Sequence, residues 1–300
     1  MTATSLELAS PAIVPAGRAP KKRRSRGRRG VSGWVVLVVL FACALLMLFP
    51  FWLALINAFK PTADYIENGP ISLPTQLDFT AIIDFWVGVN FNQKLLNSIV
   101  ISGSVAVIAA AISLLSAFAI GIGKIRGRVW VLAIFMLAFT IPQEALVYPL
   151  FILTRNVGLY DTQLGVIIIL AILQSAFGTY MLSSVLGSFP PEVLEAARID
   201  GATRRQVLWH IVFPLTRPTL AVLVTFFFIW TWNDFFLPLV LLPSSANQTV
   251  SVALGALSGQ YTSDPTALAA ASMAGILPAL IFFVLFQRTL MRGVNLGAVK

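Results

Sequence analysis

Six stretches of about 20 or more mostly apolar residues run through this chain, at roughly 33–57, 97–121, 129–151, 163–187, 218–242 and 266–286. Each is long enough to cross ~30 Å of hydrocarbon as a helix. Closed-barrel strands are excluded, because those are ~10 residues long and alternate in polarity. A span in lipid must satisfy its own backbone hydrogen bonds, which leaves helix. With 58% hydrophobic and only 11% charged residues, the chain is not a soluble domain. The expected fold is an all-α integral membrane protein with six transmembrane helices, spanning residues 33–300 behind a basic tail at 1–32.

The charges orient the bundle. With the N-terminus placed in the cytoplasm, the tail carries eight basic residues between Arg18 and Arg29. The next inside loop holds Lys124, Arg126 and Arg128, and the following one Arg198, Arg204, Arg205 and Arg217. The C-terminal tail adds Arg288, Arg292 and Lys300, whereas the outside loops hold only Lys60, Lys94 and Arg155. This is a strong positive-inside pattern, so both termini are expected in the cytoplasm of a bacterial-type cell membrane. The run KKRRSRGRR then reads as a topogenic anchor against the first span, rather than as a nucleic-acid or anionic-lipid site. The first span is too long for the apolar region of a cleaved signal peptide.

Catalytic and cofactor chemistry finds little material. The one cysteine, Cys43, sits mid-span, and the one histidine, His210, lacks a partner for a metal or nucleophile site. GKIRGR at 123–128 does not match the GxxxxGK[ST] phosphate loop. No cofactor, metal or ATP site is expected.

Residues 188–217, SFPPEVLEAARIDGATRRQVLWHIVFPLTR, are polar and charged, yet lie between two spans. Pro191 suits a first helical turn, and Glu192 complements the helix dipole there. Val193, Leu194 and Ala197 make one apolar face. Asp200-Gly201 breaks the helix, because glycine adopts left-handed geometry freely. Thr203 and Gln206 form a capping-box pattern that starts a second helix with apolar positions Val207, Leu208, Ile211, Val212 and Leu215. Pro214 and Pro218 punctuate the entry to the fifth span. The pattern predicts helix, sharp turn, helix on the cytoplasmic face. The small residues Ala196, Ala197, Gly201 and Ala202 would let another protein approach closely. On pattern alone, an amphipathic segment lying on lipid remains open.

Glu195-Ala196-Ala197, then Gly201, then Ile211-x-Phe213-Pro214 resemble the EAA motif of ABC importer permeases, with Phe213 where leucine is usual. Four further segments are similar to the MalG-like carbohydrate branch: GLYDTQLG (158–165), WNDFFLPL (232–239), GQYTSDPTALAAASMAGILP (259–278) and GVNLGAVK (293–300). The resemblance implies a non-enzymatic permease subunit, paired with a second permease. A cytoplasmic ATPase pair and an external solute-binding protein would complete the importer. It also implies that the EAA loop is a coupling helix seated in a cleft of the ATPase. Glu195 would be its polar anchor, Ala196 and Ala197 its packing surface, and Asp200-Gly201-Ala202 its turn, with Ile211 and Pro214 completing the motif.

Two acids lie inside apolar spans, Glu144 and Asp234. Intramembrane carboxylates are costly and face a cavity or a partner. Counted along straight helices, both fall about 10–12 Å below the outer end, as if lining one polar cavity. Gln174 and Asn233 are further candidates for sugar hydroxyls, and Trp232 or Tyr148 for stacking on a sugar face. Interhelical hydrogen bonding is the alternative role for such residues. The external segment 60–94 is too long for a simple loop, and its 79–89 portion reads as a short interfacial helix. A carrier of another class, driven by protons or sodium through Glu144 and Asp234, would leave the EAA loop unexplained, and no internal repeat supports it. Polyols and glycerol phosphate stay open beside sugars as cargo.

Overall fold

The computed structural model describes residues 31–123, 125–187, 189–260 and 264–298, with side chains omitted at 31–32, 257–260 and 288–298. The basic tail up to residue 30, Lys124 and the last two residues lie outside this set. The described residues are helical and contain no strand. In chain order the helices are α1 (Val31–Ala58), α2 (Thr62–Asn68), α3 (Thr80–Gly88), α4 (Phe91–Gly121), α5 (Arg128–Thr140), α6 (Gln143–Asn156), α7 (Gln163–Gly187) and α8 (Pro191–Ile199). They continue with α9 (Arg204–Asn233), α10 (Phe236–Leu241), α11 (Val250–Gln260) and α12 (Pro265–Ala298). The chain divides into two compact units at Pro50, inside α1. The second unit, Pro50–Lys300, holds every helix after α1.

Its core is the packing of α4 on α7, with α9 laid against both. Lipid tails are as apolar as leucine, so burial of apolar surface does not drive helices together in a bilayer; close van der Waals contact does. The sequence supplies this with small residues at helical spacing. Ala106, Ala109, Ala110, Ser113 and Ala117 of α4 are buried, as are Ala171, Ser175, Gly178 and Thr179 of α7. Gly178 marks the tightest point. A β-carbon there would come within 2.2 Å of the Ser113 hydroxyl and 2.8 Å of the Phe227 ring, so three helices meet over a glycine.

Five helices, α1, α4, α7, α9 and α12, are long and apolar enough to cross a membrane. The third expected span differs from a straight helix: it is α5 plus α6, bent by 92°. Pro142 is the local cause. Ile141, ahead of it, is extended at φ −67°, ψ 124°, as a residue before proline prefers. The 13 residues of α5 reach only about 20 Å, short of a full crossing. The fifth span also differs, at both ends. It starts at Arg204 rather than near 218, and stops at Asn233, because Asp234 is extended. Proline is absorbed at its start by π-helical winding over Val207–Val212, where the Phe213 amide donates to the Leu208 carbonyl. Widening the turn ahead of Pro214 relieves the clash that proline makes with the carbonyl four residues back.

The bundle has two unlike ends. At one, the chain is clasped. Asn97 of α4 donates to the carbonyls of Ala246 (2.7 Å) and Gln248 (2.9 Å), and accepts from Gln93 and Gln163. Lys94, buried beside it, donates to the Ser245 carbonyl and hydroxyl. Asp161 accepts from the Ser244 amide and hydroxyl and from Asn247. Lys60 and Asp64 do the same for the 60–75 segment, through Gly69 and Ser72 and through Asn68 and Thr75. The 79–89 helix expected from sequence is α3, which packs on α12. The other end carries the end of α4, the start of α5 and the loop from Phe189 to Gln206.

Candidate docking loop and solute path

The loop folds by local rules. Pro191 sits in the first turn of α8. The helix closes in a Schellman motif: the Ala202 amide donates to the Ala197 carbonyl (2.9 Å) and the Gly201 amide to Arg198 (3.1 Å), with Gly201 at φ +73°. Thr203 and Gln206 then make a reciprocal capping box, Thr203 N–H to Gln206 Oε1 at 2.8 Å and Gln206 N–H to Thr203 Oγ1 at 3.3 Å. The result is a helix, a fixed turn and a second helix start, as the sequence predicts. The second helix, however, is not a separate short one. It runs without interruption into the fifth span as α9.

Of the motif residues, Glu195 and Ala196 are exposed on α8. Ala197 is only 6% exposed and sits in this chain's own core with Val207 and Val212. It therefore belongs to the seat of α8 and is not free to pack into a partner, because α8 is amphipathic and Ala197 lies on its apolar face. Asp200, Gly201, Ala202 and Ile211 come together around a hollow of about 280 Å³, shared with Gln206 and His210. Pro214 is half-buried one turn further on. A β-carbon on Gly201 would touch nothing in the described chain. Sequence reading missed Ile199, a large apolar side chain left 87% exposed at the end of α8. It also counted Arg128 only as a charge. Its guanidinium donates to the Ser183 carbonyl at 3.2 Å, near the end of α7.

The expected solute-path residues fall into four places. Glu144 is exposed in the first turn of α6, just after the Pro142 break, and Asp234 is half-buried at the break between α9 and α10. α6 packs on α10, the helix that begins two residues after Asp234. The two acids thus stand at the starts of two helices that pack together, but for another reason than equal depth along straight spans. Both sit where a helix is interrupted, and distance counted along either helix does not measure depth across a 92° bend. Trp232 and Asn233 line a hollow of about 200 Å³ with Phe228, Ile229, Ala279, Phe282 and Phe283. Trp232 stacks on Phe228 (5.8 Å, 17°), which stacks on Phe282 of α12 (3.7 Å, 6°). The Ser251 hydroxyl donates to the Trp232 carbonyl, serving an acceptor at the end of α9. Gln174 stands apart. It is 3% exposed and donates to the Thr231 hydroxyl at 2.9 Å, tying α7 to α9. Tyr148 is 73% exposed on α6.

Known proteins resemble this chain over nearly its full length. It is 31% identical over 278 residues to the trehalose transport system permease protein SugB of Mycobacterium tuberculosis, covering 91% of this chain and 99% of that protein. It is 30% identical over 258 residues to the inner membrane ABC transporter permease protein YcjP of Escherichia coli, covering 85% and 92%. The fold matches a chain in the crystal structure of a bacterial ABC transporter involved in the import of the acidic polysaccharide alginate. That match has a TM-score of 0.73 at 25% identity, over 90% of this chain and 99% of that one. Residues 123–295 match the family described as binding-protein-dependent transport system inner membrane component. That match holds the docking loop, both helix breaks and all the candidate path residues. With its five long apolar helices and bent sixth crossing, the chain is a multi-pass inner-membrane protein that belongs to the binding-protein-dependent transport permeases.

Proposed function

We propose that this chain is one permease subunit of an ATP-driven importer for a sugar or oligosaccharide, and that the α8 turn is where a separate ATPase grips it. The carrying observation is the rigid turn, pinned by the Schellman motif and the capping box, that presents Glu195, Ala196 and Ile199 outward. Nothing in the described chain covers these residues. The positive-inside charges support a cytoplasmic position for the turn. Relatives named for trehalose and lactose transport, and the alginate transporter, support a saccharide cargo. A structure of the alginate transporter with a periplasmic protein bound to an alginate pentasaccharide supports an external binding protein as donor. A second permease would face this one across the path.

The geometry supplies a lever. From the capping box to Asn233 the chain is one helix of 30 residues, about 45 Å long. A displacement at the docking turn reaches Trp232, Asn233 and Asp234 without a joint on the way. There the helix breaks, and a break beside two carboxylates is where a path could change shape. Closure of the ATPases on ATP would rock α9 between two packed arrangements. The test is uptake into proteoliposomes holding the whole transporter. ATP inside should drive uptake, and an ionophore that collapses proton and sodium gradients should leave it intact. Uptake driven by an ion gradient without ATP contradicts the reading.

A further inference from the structure

We propose that Arg128 is a positioning residue that ties the foot of the bent third crossing to the docking loop, so that α5 moves with α8 during transport. The inference rests on the coupling reading of the α8 turn. Arg128 opens α5 directly after Gly127, whose left-handed φ of +79° turns the chain into that helix. Its guanidinium reaches across to α7 and donates to the Ser183 carbonyl, 55 residues away in sequence. A cation at a helix C-terminus is favoured by the helix dipole. Gly187, the last residue of α7, leaves the space for it: a β-carbon there would lie 2.7 Å from the guanidinium nitrogen. Four residues later α8 begins. Arg128 thus grips the post from which the docking helix hangs.

What it grips with is a lightly anchored helix. α5 has no buried residue among those described, packs mainly on α7, and is separated from α6 by the 92° break. At the far side of that break Glu144 stands in the first turn of α6, which packs on α10 just beyond Asp234 and the end of α9. The docking loop therefore has two routes to the two helix breaks. One runs along α9. The other runs through Arg128 and α5. Losing the second should leave the ATPase docked and turning over while the path fails to follow.

The test uses the complete transporter in proteoliposomes, with ATP hydrolysis and uptake measured together. Arg128→Gln removes the charge. Gly187→Ala crowds the guanidinium without touching any charge. Arg128→Lys keeps a cation in reach. The expected result is an ATP-to-solute ratio raised about tenfold in Arg128→Gln and Gly187→Ala, and less than about threefold in Arg128→Lys, with normal ATPase co-purification. A ratio within about twofold of wild type in both of the first two variants overturns the proposal, whether neither rate changes or both fall together. A wild-type protein whose uptake ignores ATP sinks the coupling reading instead.

Discussion

The two ends of the bundle solve opposite problems. At the clasped end, three side chains, Asn97 and Lys94 from α4 and Asp161 from the turn before α7, bind the 244–248 segment, and the polar groups answer one another. At the loop end, the turn is just as well defined, but by bonds within itself. Its outward face, with Glu195, Ala196 and Ile199, is answered by nothing in the described chain. An end that satisfies itself is a stability device. An end that is rigid yet unsatisfied is built to be completed by something else. Substitutions should separate the two, costing stability at one end and transport at the other.

Gly201→Asp should give the largest effect. Uptake should fall by a factor on the order of 100 or more, as expected when a charge and bulk enter a close-packed contact. A β-carbon there meets no atom of the described chain, so the main internal cost is the left-handed backbone, about 1 kcal/mol. Membrane insertion and the thermal midpoint in detergent should be nearly unchanged. Normal uptake would remove the turn from the mechanism.

Asn97→Ala should do the reverse. It strands two carbonyls and the amides of Gln93 and Gln163, at about 1–3 kcal/mol. The thermal midpoint should drop, while ATP hydrolysed per solute stays constant in the folded fraction.

The clasp should also loosen in acid. Hydrogen bonds from Ser244 and Asn247 hold the Asp161 carboxyl below its ordinary value of 3.8, and those from Thr75 and Asn68 do the same for Asp64. A carboxyl lowered by folding adds stability that is present above the ordinary value and lost as pH falls through the lowered one. Hydrogen exchange at residues 244–248, taken relative to the intrinsic rate at each pH, should thus be flat from neutral pH down to about 4 and rise below it. Asp161→Ala should show the raised exchange already at neutral pH. A rise centred near pH 6 would point to another group.

These contrasts also explain what could be read from the chain. The loop was legible because its signals are local: Pro191 in a first turn, Gly201 after a helix, Thr203 and Gln206 three apart. The spans were legible because length and apolarity alone demand them. Asp234 was visible as a residue, but not as a joint, and the size of the bend at Pro142 was hidden. Whether proline kinks a helix or breaks it by 92° depends on the neighbours it packs against, and Asp234 breaks a helix with no proline or glycine beside it. The continuity of α9 through Pro214 was hidden because π winding leaves no compositional trace. Ile199 and Arg128 were missed for one reason: exposure of the first and the partner of the second are set by contacts between distant parts of the chain.

The central claim is that the exposed end of α8 meets an ATPase. The chain has a single native cysteine, Cys43, so a Cys43→Ser, Ile199→Cys double variant carries one reporter thiol at the most exposed apolar point of the turn. Cross-linking of the assembled transporter with a short thiol-reactive photo-reagent should join this chain to the ATP-binding subunit, with a yield that changes when ATP is added. A thiol labelled only by lipid-phase reagents, with no cross-link to an ATPase in any nucleotide state, would contradict the account and leave the loop as a segment lying on the membrane.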